Sequence, residues 1–196
     1  MEGTLTEEIW QKVAEDTGIE DFAKTTKDVP SYSDLMDARL AVMEKEGITL
    51  KDIQIASSKV DLLDGARDFL ESLRQNFQVV ILSDTFHEIA SPLMEKLSFP
   101  LLLCHTLTVN NGMITAYKLR QEKAKQEAIK AFQRLGYRCF AAGDSFNDIQ
   151  MFEVCKKGFF INAPEKVTSM HPEVEIVKDY TELEVKLLEN SIYQYE

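Results

Sequence analysis

The stretch AAGDSFND, residues 141–148, decides how the chain folds. An apolar strand is predicted to end at Ala142, and Asp144 and Asp148 follow it four residues apart, facing the same way across a helix start. A second apolar run, FQVVIL at residues 77–82, is followed in the same manner by the polar triplet SDT. Both runs are typical of buried parallel strands, and ligands of such sheets bind beyond the carboxyl ends of the strands.

Outward from these two strands, helical and strand patterns alternate between residues 62 and 188. The sequence predicts strands at 77–82, 101–104, 138–142, 158–162 and 174–177, a hairpin at 106–117, and helices at 65–75, 88–97, 122–135, 148–155 and 181–188. Residues 4–60 are predicted to be helical, with helices ending at Gly18 and Gly47. This order indicates an α/β fold with a mostly parallel sheet.

Composition narrows the class of protein. The 196 residues carry 33 acidic and 22 basic side chains, a net charge of -11. A basic cluster is absent from the sequence, which argues against nucleic-acid binding, and the excess of acid argues against anionic membranes. Three cysteines match no zinc pattern and no apolar run reaches membrane-spanning length, so we expect a cytoplasmic protein in a reducing compartment.

The polar residues behind the strands suit phosphoryl transfer. Carboxylates such as Asp144 and Asp148 can hold Mg²⁺, while a hydroxyl, backbone amides and Lys125 can hold phosphoryl oxygens. Taken singly, the SDT triplet is an ordinary helix N-cap and Lys125 an ordinary solvated residue. The order SDT, lysine, GDSFND is what favours the chemistry.

That order resembles the haloacid dehalogenase (HAD) superfamily, and in particular its phosphoserine phosphatases, from Met1 to about Leu188. The resemblance implies a Rossmann-like HAD core formed by residues 1–4 and 61–196, with a small helical cap at residues 5–60. It also implies that Ser83 binds the phosphate, that Lys125 is catalytic, and that acidic side chains bind Mg²⁺. The further residues are Asp84, Thr85 and Asn147 for substrate and phosphate, and Glu2, Asp144 and Asp148 for the metal.

The first residues, MEGTL, resemble the end of the family motif Asp-x-Asp-Gly-Thr. Glu2 stands where the second aspartate acts as general acid and base, a substitution that resembles the bifunctional phosphoserine phosphatases and phosphoserine:homoserine phosphotransferases. The motif's first aspartate, the nucleophile, and its strand would precede Met1. We therefore expect these 196 residues alone to be nearly inert, and the strands ending at Leu82 and Ala142 to have unpaired edges.

The cap would select the substrate. By resemblance, Glu8 binds the substrate ammonium, Arg39 binds its carboxylate, and Met36 lines the pocket. The simpler alternatives are that Glu8 favours the dipole of its helix and that Arg39 is a solvated residue.

These observations favour a Mg²⁺-dependent hydrolase of serine biosynthesis, which converts O-phospho-L-serine to L-serine through an aspartyl-phosphate and also transfers the phosphoryl group to homoserine. The alternatives are an inactive HAD-fold binding protein and a phosphatase for another small phosphoester. A homodimer is left open.

Overall fold

The computed structural model describes residues 1–25, 29 and 31–191. The strands are β1 (Val80–Phe86), β2 (Leu101–Asn110), β3 (Met113–Lys118), β4 (Phe140–Gly143), β5 (Lys157–Ile161) and β6 (Glu175–Val177). The helices are α1 (Ile9–Thr17), α2 (Tyr32–Glu46), α3 (Leu50–Ser58), α4 (Ala66–Leu73), α5 (His87–Lys96), α6 (Ala124–Arg134), α7 (Ile149–Phe152), α8 (Glu165–Thr168) and α9 (Tyr180–Ser191). Short 3-10 helices lie at Glu20–Ala23 and Phe146–Asp148.

The strands form two three-stranded sheets, in the orders β1-β2-β3 and β4-β5-β6. The β1–β2 pair is parallel, as are both pairs of the second sheet, whereas β2 and β3 form an antiparallel hairpin. The predicted α/β class with mostly parallel strands is therefore confirmed. Within the described ranges, β1 and β4 each pair on one side only, as expected for the strands on either side of the site.

A shared core joins the two sheets. Ile81 of β1 and Leu102 of β2 pack in the same buried cluster as Phe159 and Ile161 of β5, and helices α4 and α9 cover it. A fully buried side chain of this size contributes about 1.5–3 kcal/mol by leaving water. The carboxyl ends of β1 and β4 are therefore held in one framework, which matters because the site lies there.

The helices before residue 60 form a layer of their own. Ile9 of α1, Met43 of α2 and Ile53 of α3 pack together, and Ile89 of α5 and Ile114 of β3 extend the same buried cluster. The layer thus rests on the first sheet and α5. The division into a cap at 5–60 and a core at 1–4 and 61–196 stays a prediction, since Leu5 packs in the sheet cluster and residues 192–196 lie outside the described part.

Several boundaries differ from the predicted ones, and two of the differences concern β1 and β2. The SDT triplet lies inside β1, which continues to Phe86, because β2 runs alongside as far as the pair Phe86–His105. The predicted strand at 101–104 and the first arm of the hairpin are one continuous strand, β2, which changes partner from β1 to β3 along its length.

In the described chain, no helix is long and apolar enough to cross a membrane.

Candidate active site

Asp148 organises the turn that follows β4. Its Oδ2 accepts hydrogen bonds from the backbone N–H groups of Asp144 and Ser145, at 3.0 and 3.1 Å, and from the Ser145 hydroxyl at 3.0 Å. A Cβ atom on Gly143 would lie 2.3 Å from the Asp148 carboxyl group, so only glycine allows this close approach. The sequence GDSFND therefore folds into a turn closed by its own last carboxylate.

Lys125, in the first turn of α6, connects the ends of the two sheets. Its Nζ lies 2.8 Å from Asp148 Oδ1 and 3.2 Å from Asp84 Oδ2, and the residue is only 9% exposed. Burial alone would lower the pKa of Lys125, but the two carboxylates raise it above its ordinary value. Burial likewise acts to raise the pKa of both aspartates, yet Lys125 holds them below their usual range.

The β1 end contributes two buried hydroxyls. Ser83 and Thr85 are both almost fully buried, and the Thr85 amide donates to Ser83 Oγ at 3.3 Å. Thr85 Oγ1 has no hydrogen-bond partner in this structure. An unsatisfied buried hydroxyl is costly, so this group would gain from an acceptor supplied by a ligand.

The carboxylate of Asp144 has fewer favourable polar contacts than that of Asp148. Its Oδ1 accepts a hydrogen bond from Thr4 Oγ1 at 3.1 Å. Gly3 adopts a φ of +71°, and a Cβ there would lie 2.2 Å from Asp144 Oδ2, so the N-terminal turn presses directly against this carboxylate. Burial first, and the nearby Asp148 second, raise the pKa of Asp144 to about 6.

Glu2 closes the site from the side of the cap. Its Oε1 accepts a hydrogen bond from the backbone N–H of Ile9 at 3.0 Å. This N–H lies at the start of α1, where an amide has no hydrogen-bond partner within the helix. Burial, and then the neighbouring Glu8, raise the pKa of Glu2 to about 7.

Arg39 of α2 forms the opposite wall and is only 5% exposed. Its guanidinium lies 4.1 Å above the Trp10 ring, and Nη2 donates to the Lys24 carbonyl at 2.7 Å. Its Nε has no hydrogen-bond partner, and burial lowers the pKa of Arg39 to about 10. The alternative of a solvated Arg39 is therefore wrong.

These groups surround a cavity of about 150 Å³. It is lined by all of the predicted site residues except Met36: Glu2, Glu8, Arg39, Ser83, Asp84, Thr85, Lys125, Asp144, Asn147 and Asp148. Met36 is instead fully buried, with its sulfur 3.6 Å from Arg39 Nη1, so it supports the arginine rather than lining the cavity.

The predicted acidic set is not arranged as a ready-made metal site. Across residues 1–25, 29 and 31–191, no three His, Cys, Asp or Glu side chains are placed to hold a metal ion. The reason is visible in the partners: Asp148 is engaged by Lys125 and the turn amides, and Glu2 by the Ile9 amide. Asp144, in contrast, forms no salt bridge within the described part of the chain and accepts a hydrogen bond from Thr4.

Two residues around Asp84 were not predicted from the sequence. His105 of β2 places Nε2 3.6 Å from Asp84 Oδ1, and Tyr32 at the start of α2 donates its hydroxyl hydrogen to the Asp84 carbonyl at 2.7 Å. The signal for His105 was present, because it directly follows the predicted strand at 101–104. Tyr32 carries no comparable signal, since its contact depends on how the cap packs.

Comparison with known proteins agrees with this geometry. The model of the haloacid dehalogenase-like hydrolases matches residues 3–153. The chain is 43% identical over 192 residues to a phosphoserine phosphatase of Pseudomonas syringae pv. tomato, covering 97% of this chain and 81% of that protein. It is equally identical to phosphoserine phosphatase ThrH of Pseudomonas aeruginosa, covering 97% and 94%. A structure of a phospho-aspartyl intermediate analogue of phosphoserine phosphatase has a TM-score of 0.78 at 18% identity, covering 95% of each chain, and shares the fold.

Proposed function

The chain belongs to the haloacid dehalogenase-like hydrolases, and from that premise we propose that it is a phosphatase that hydrolyses O-phospho-L-serine to L-serine through an aspartyl-phosphate. The observation that carries the proposal is the buried ammonium of Lys125, held between Asp84 and Asp148 at the mouth of a small cavity. A fixed cation in a water-poor site stabilises the charge of a transferring phosphoryl group. The 43% identity to proteins named phosphoserine phosphatase supports the substrate.

The phosphoryl group would lie against the end of β1. Lys125, Ser83 and Thr85 line the cavity, and the buried, unpartnered Thr85 Oγ1 would donate to a phosphoryl oxygen. Asn147, on the turn after β4, would add an amide donor on the other side.

The rest of the substrate would lie between the cap residues. Arg39 presents a guanidinium whose Nε is unpaired, which suits a carboxylate, and Glu8 supplies an acid for the ammonium. Glu2 would act as general acid and base, because a pKa near 7 lets one carboxyl group both donate and accept a proton at neutral pH.

HAD phosphatases generally use a divalent metal ion, and Mg²⁺ is the ion that we propose. The donor set fits, because Asp144 is a buried carboxylate that forms no salt bridge within the described residues, and oxygen donors are those that Mg²⁺ prefers. Asp144 would be the direct ligand, while Asp148 would shape the turn that presents it; Glu2 could join through the carboxylate oxygen that does not accept the Ile9 amide. The bound ion would neutralise charge on the phosphoryl oxygens.

The phosphoryl-accepting carboxylate of the family motif would stand directly before Met1. The test therefore compares residues 1–196 with a form in which an apolar strand ending in aspartate precedes Met1. We expect the extended form to release phosphate from O-phospho-L-serine at least about a thousandfold faster, as the loss of a nucleophile usually costs that much or more. The same extended form with Lys125→Met is the control for contaminating phosphatase.

The outcomes separate the candidate functions. Formation of O-phosphohomoserine after addition of L-homoserine would support the phosphotransferase activity. Release of phosphate from other small esters, but not from phosphoserine, would favour another substrate. If the extended form binds phosphoserine yet releases no phosphate, the proposal is wrong and a binding protein is the better interpretation. A cytoplasmic location is a further part of the proposal, to be tested by fractionation, and light scattering would decide whether the protein is a monomer or a homodimer.

A further inference from the structure

His105 is a buried histidine for which the reaction proposed above has no use. It is 4% exposed, lies in the middle of β2, and does not line the cavity. The rings of Tyr32 and Phe86 contact it, each with its centroid 6.0 Å from the imidazole. A histidine so enclosed by aromatic side chains needs a polar reason to be there, because burying an unsatisfied ring nitrogen is costly.

The hydrogen bonding determines which ring nitrogen carries the proton. The backbone N–H of Arg120, just before α6, donates to His105 Nδ1 at 3.1 Å. In the neutral ring the proton must then be on Nε2, because only one nitrogen of a neutral imidazole is a donor. Nε2 lies 3.6 Å from Asp84 Oδ1, slightly beyond direct hydrogen-bond distance, so the partial positive charge of its N–H lies close to that carboxylate.

Asp84 is thereby held from three directions. His105 Nε2 faces Oδ1, Lys125 Nζ lies 3.2 Å from Oδ2, and the Tyr32 hydroxyl donates to the backbone carbonyl. Lys125 in turn is closer to Asp148, at 2.8 Å. If the Asp84 carboxylate could rotate away, the ammonium would be left with Asp148 alone and would no longer be aimed between the two strand ends.

We propose that His105 is a positioning residue: it fixes the Asp84 carboxylate so that Asp84 and Asp148 share the Lys125 ammonium at the phosphoryl site. The value of this arrangement for catalysis rests on the proposed function, but the arrangement itself does not. His105 touches neither the substrate nor the reacting atoms, and its effect passes through Asp84 to Lys125.

The kinetic test uses three variants in the extended form of the protein. His105→Leu removes both ring nitrogens, whereas His105→Gln keeps an acceptor for the Arg120 amide and a donor for Asp84. The exposed His87 provides the control, His87→Leu. We expect His105→Leu to lower kcat roughly three- to tenfold with little change in KM, in line with the net worth of one polar contact. His105→Gln should recover most of the loss, and His87→Leu should be unaffected.

A double-mutant cycle tests the route of the effect. In an Asp84→Asn background, His105→Leu should lower kcat less than twofold further, because residues that act through one another are not additive. If His105→Leu lowers kcat as much in that background as in the wild type, or if His105→Gln gives no rescue, His105 is only a structural residue and the proposal is overturned.

A spectroscopic test is independent of activity. The ¹⁵N spectrum of the histidine rings should place the His105 proton on Nε2, and Asp84→Asn should shift that Nε2 signal. His105→Leu should shift the side-chain Cε resonance of Lys125, while His87→Leu should not. If Lys125 is unmoved by His105→Leu, the positioning role is wrong. If the spectra behave as expected in a protein without phosphatase activity, only the proposed function fails.

Discussion

Two groups of charges line the same cavity and are balanced in opposite ways. In the first, which we call the closed cluster, Asp84, Lys125 and Asp148 pair with one another, and each pKa is moved away from neutrality. In the second, the open cluster of Glu2, Arg39 and Asp144, burial moves each pKa towards neutrality, to about 7, 10 and 6. The charges of the closed cluster balance one another without a ligand, whereas those of the open cluster do not.

This difference indicates which part of the site is preorganised before a ligand binds. A closed cluster places its ammonium before the substrate arrives, so no reorganisation is needed when charge develops on the phosphoryl group. The members of the open cluster form no salt bridge within the described part of the chain, which costs free energy of folding and leaves binding energy for ligands of opposite charge. Stability should therefore depend on the first group, and ligand selection on the second.

The largest expected contrast is between two substitutions four residues apart. Asp148→Asn removes a carboxylate from Lys125 and should lower the free energy of unfolding by about 3 kcal/mol, as when one partner of a buried pair is lost. Asp144→Asn removes a buried charge and should leave stability at pH 7 unchanged or higher. Urea unfolding without added metal measures both.

In the extended form of the protein, both substitutions should nevertheless lower phosphoserine turnover at least roughly a hundredfold. Asp144→Asn should in addition remove the dependence of the rate on Mg²⁺. Equal destabilisation by the two substitutions would break the distinction between the clusters, and retained Mg²⁺-dependent activity in Asp144→Asn would overturn its assignment as a ligand.

A smaller effect concerns substrate selection by the open cluster. Arg39→Ala should raise KM for phosphoserine by about 10- to 100-fold, the usual worth of a hydrogen bond to a charged group. A phosphate ester that lacks a carboxylate should be spared, and Glu8→Gln should act on substrates that carry an ammonium. Steady-state kinetics with the two ester types decide the matter; if Arg39→Ala harms both equally, Arg39 is a structural residue.

The last expected effect is on the pH dependence of stability without metal. Glu2 and Asp144 have raised pKa values, so the folded protein binds more protons than the unfolded chain between about pH 4 and 7. Their contribution should therefore make the free energy of unfolding fall as pH rises through that window, by up to several kcal/mol at about 1.4 kcal/mol per pKa unit. Asp84 and Asp148 have lowered pKa values and lose their stabilisation only below that window, as pH falls.

Thermal unfolding between pH 4.5 and 7.5 measures this slope. Combining Glu2→Gln with Asp144→Asn should flatten it, and saturating Mg²⁺ should flatten it in the unmutated protein. A slope that survives the double substitution would mean that other groups are responsible.

The meeting of Asp84, Lys125 and Asp148 at one sheet edge could be predicted from the sequence, whereas their pairing with one another and the state of the open cluster could not. The order of SDT, Lys125 and GDSFND is sufficient because the carboxyl ends of parallel strands meet at one sheet edge. The different fates of Asp144 and Asp148 depend on a contact at Gly143 that spacing alone does not reveal. Met36 was misplaced for a related reason: it lies three residues from Arg39 on α2, and only the packing of the cap decides which of the two faces the cavity.

The fold, too, could be predicted from the sequence only in part. Helix ends at Gly18 and Gly47 were predicted correctly, because both glycines adopt the left-handed conformation that ends a helix. The continuity of β2 was not predicted, because a strand that exchanges a parallel partner for an antiparallel one midway has no periodic signature that differs from two short strands.

The stacking of Arg39 on Trp10 also gives the protein an optical property. Trp10 is the single tryptophan of the sequence, so ultraviolet emission excited at the red edge of aromatic absorption arises from this one ring. A guanidinium lies 4.1 Å from its centre, and the electric field of that cation acts directly on the indole. The fluorescence of the unlabelled protein therefore reports on the wall of the cavity, without a dye and without any substitution.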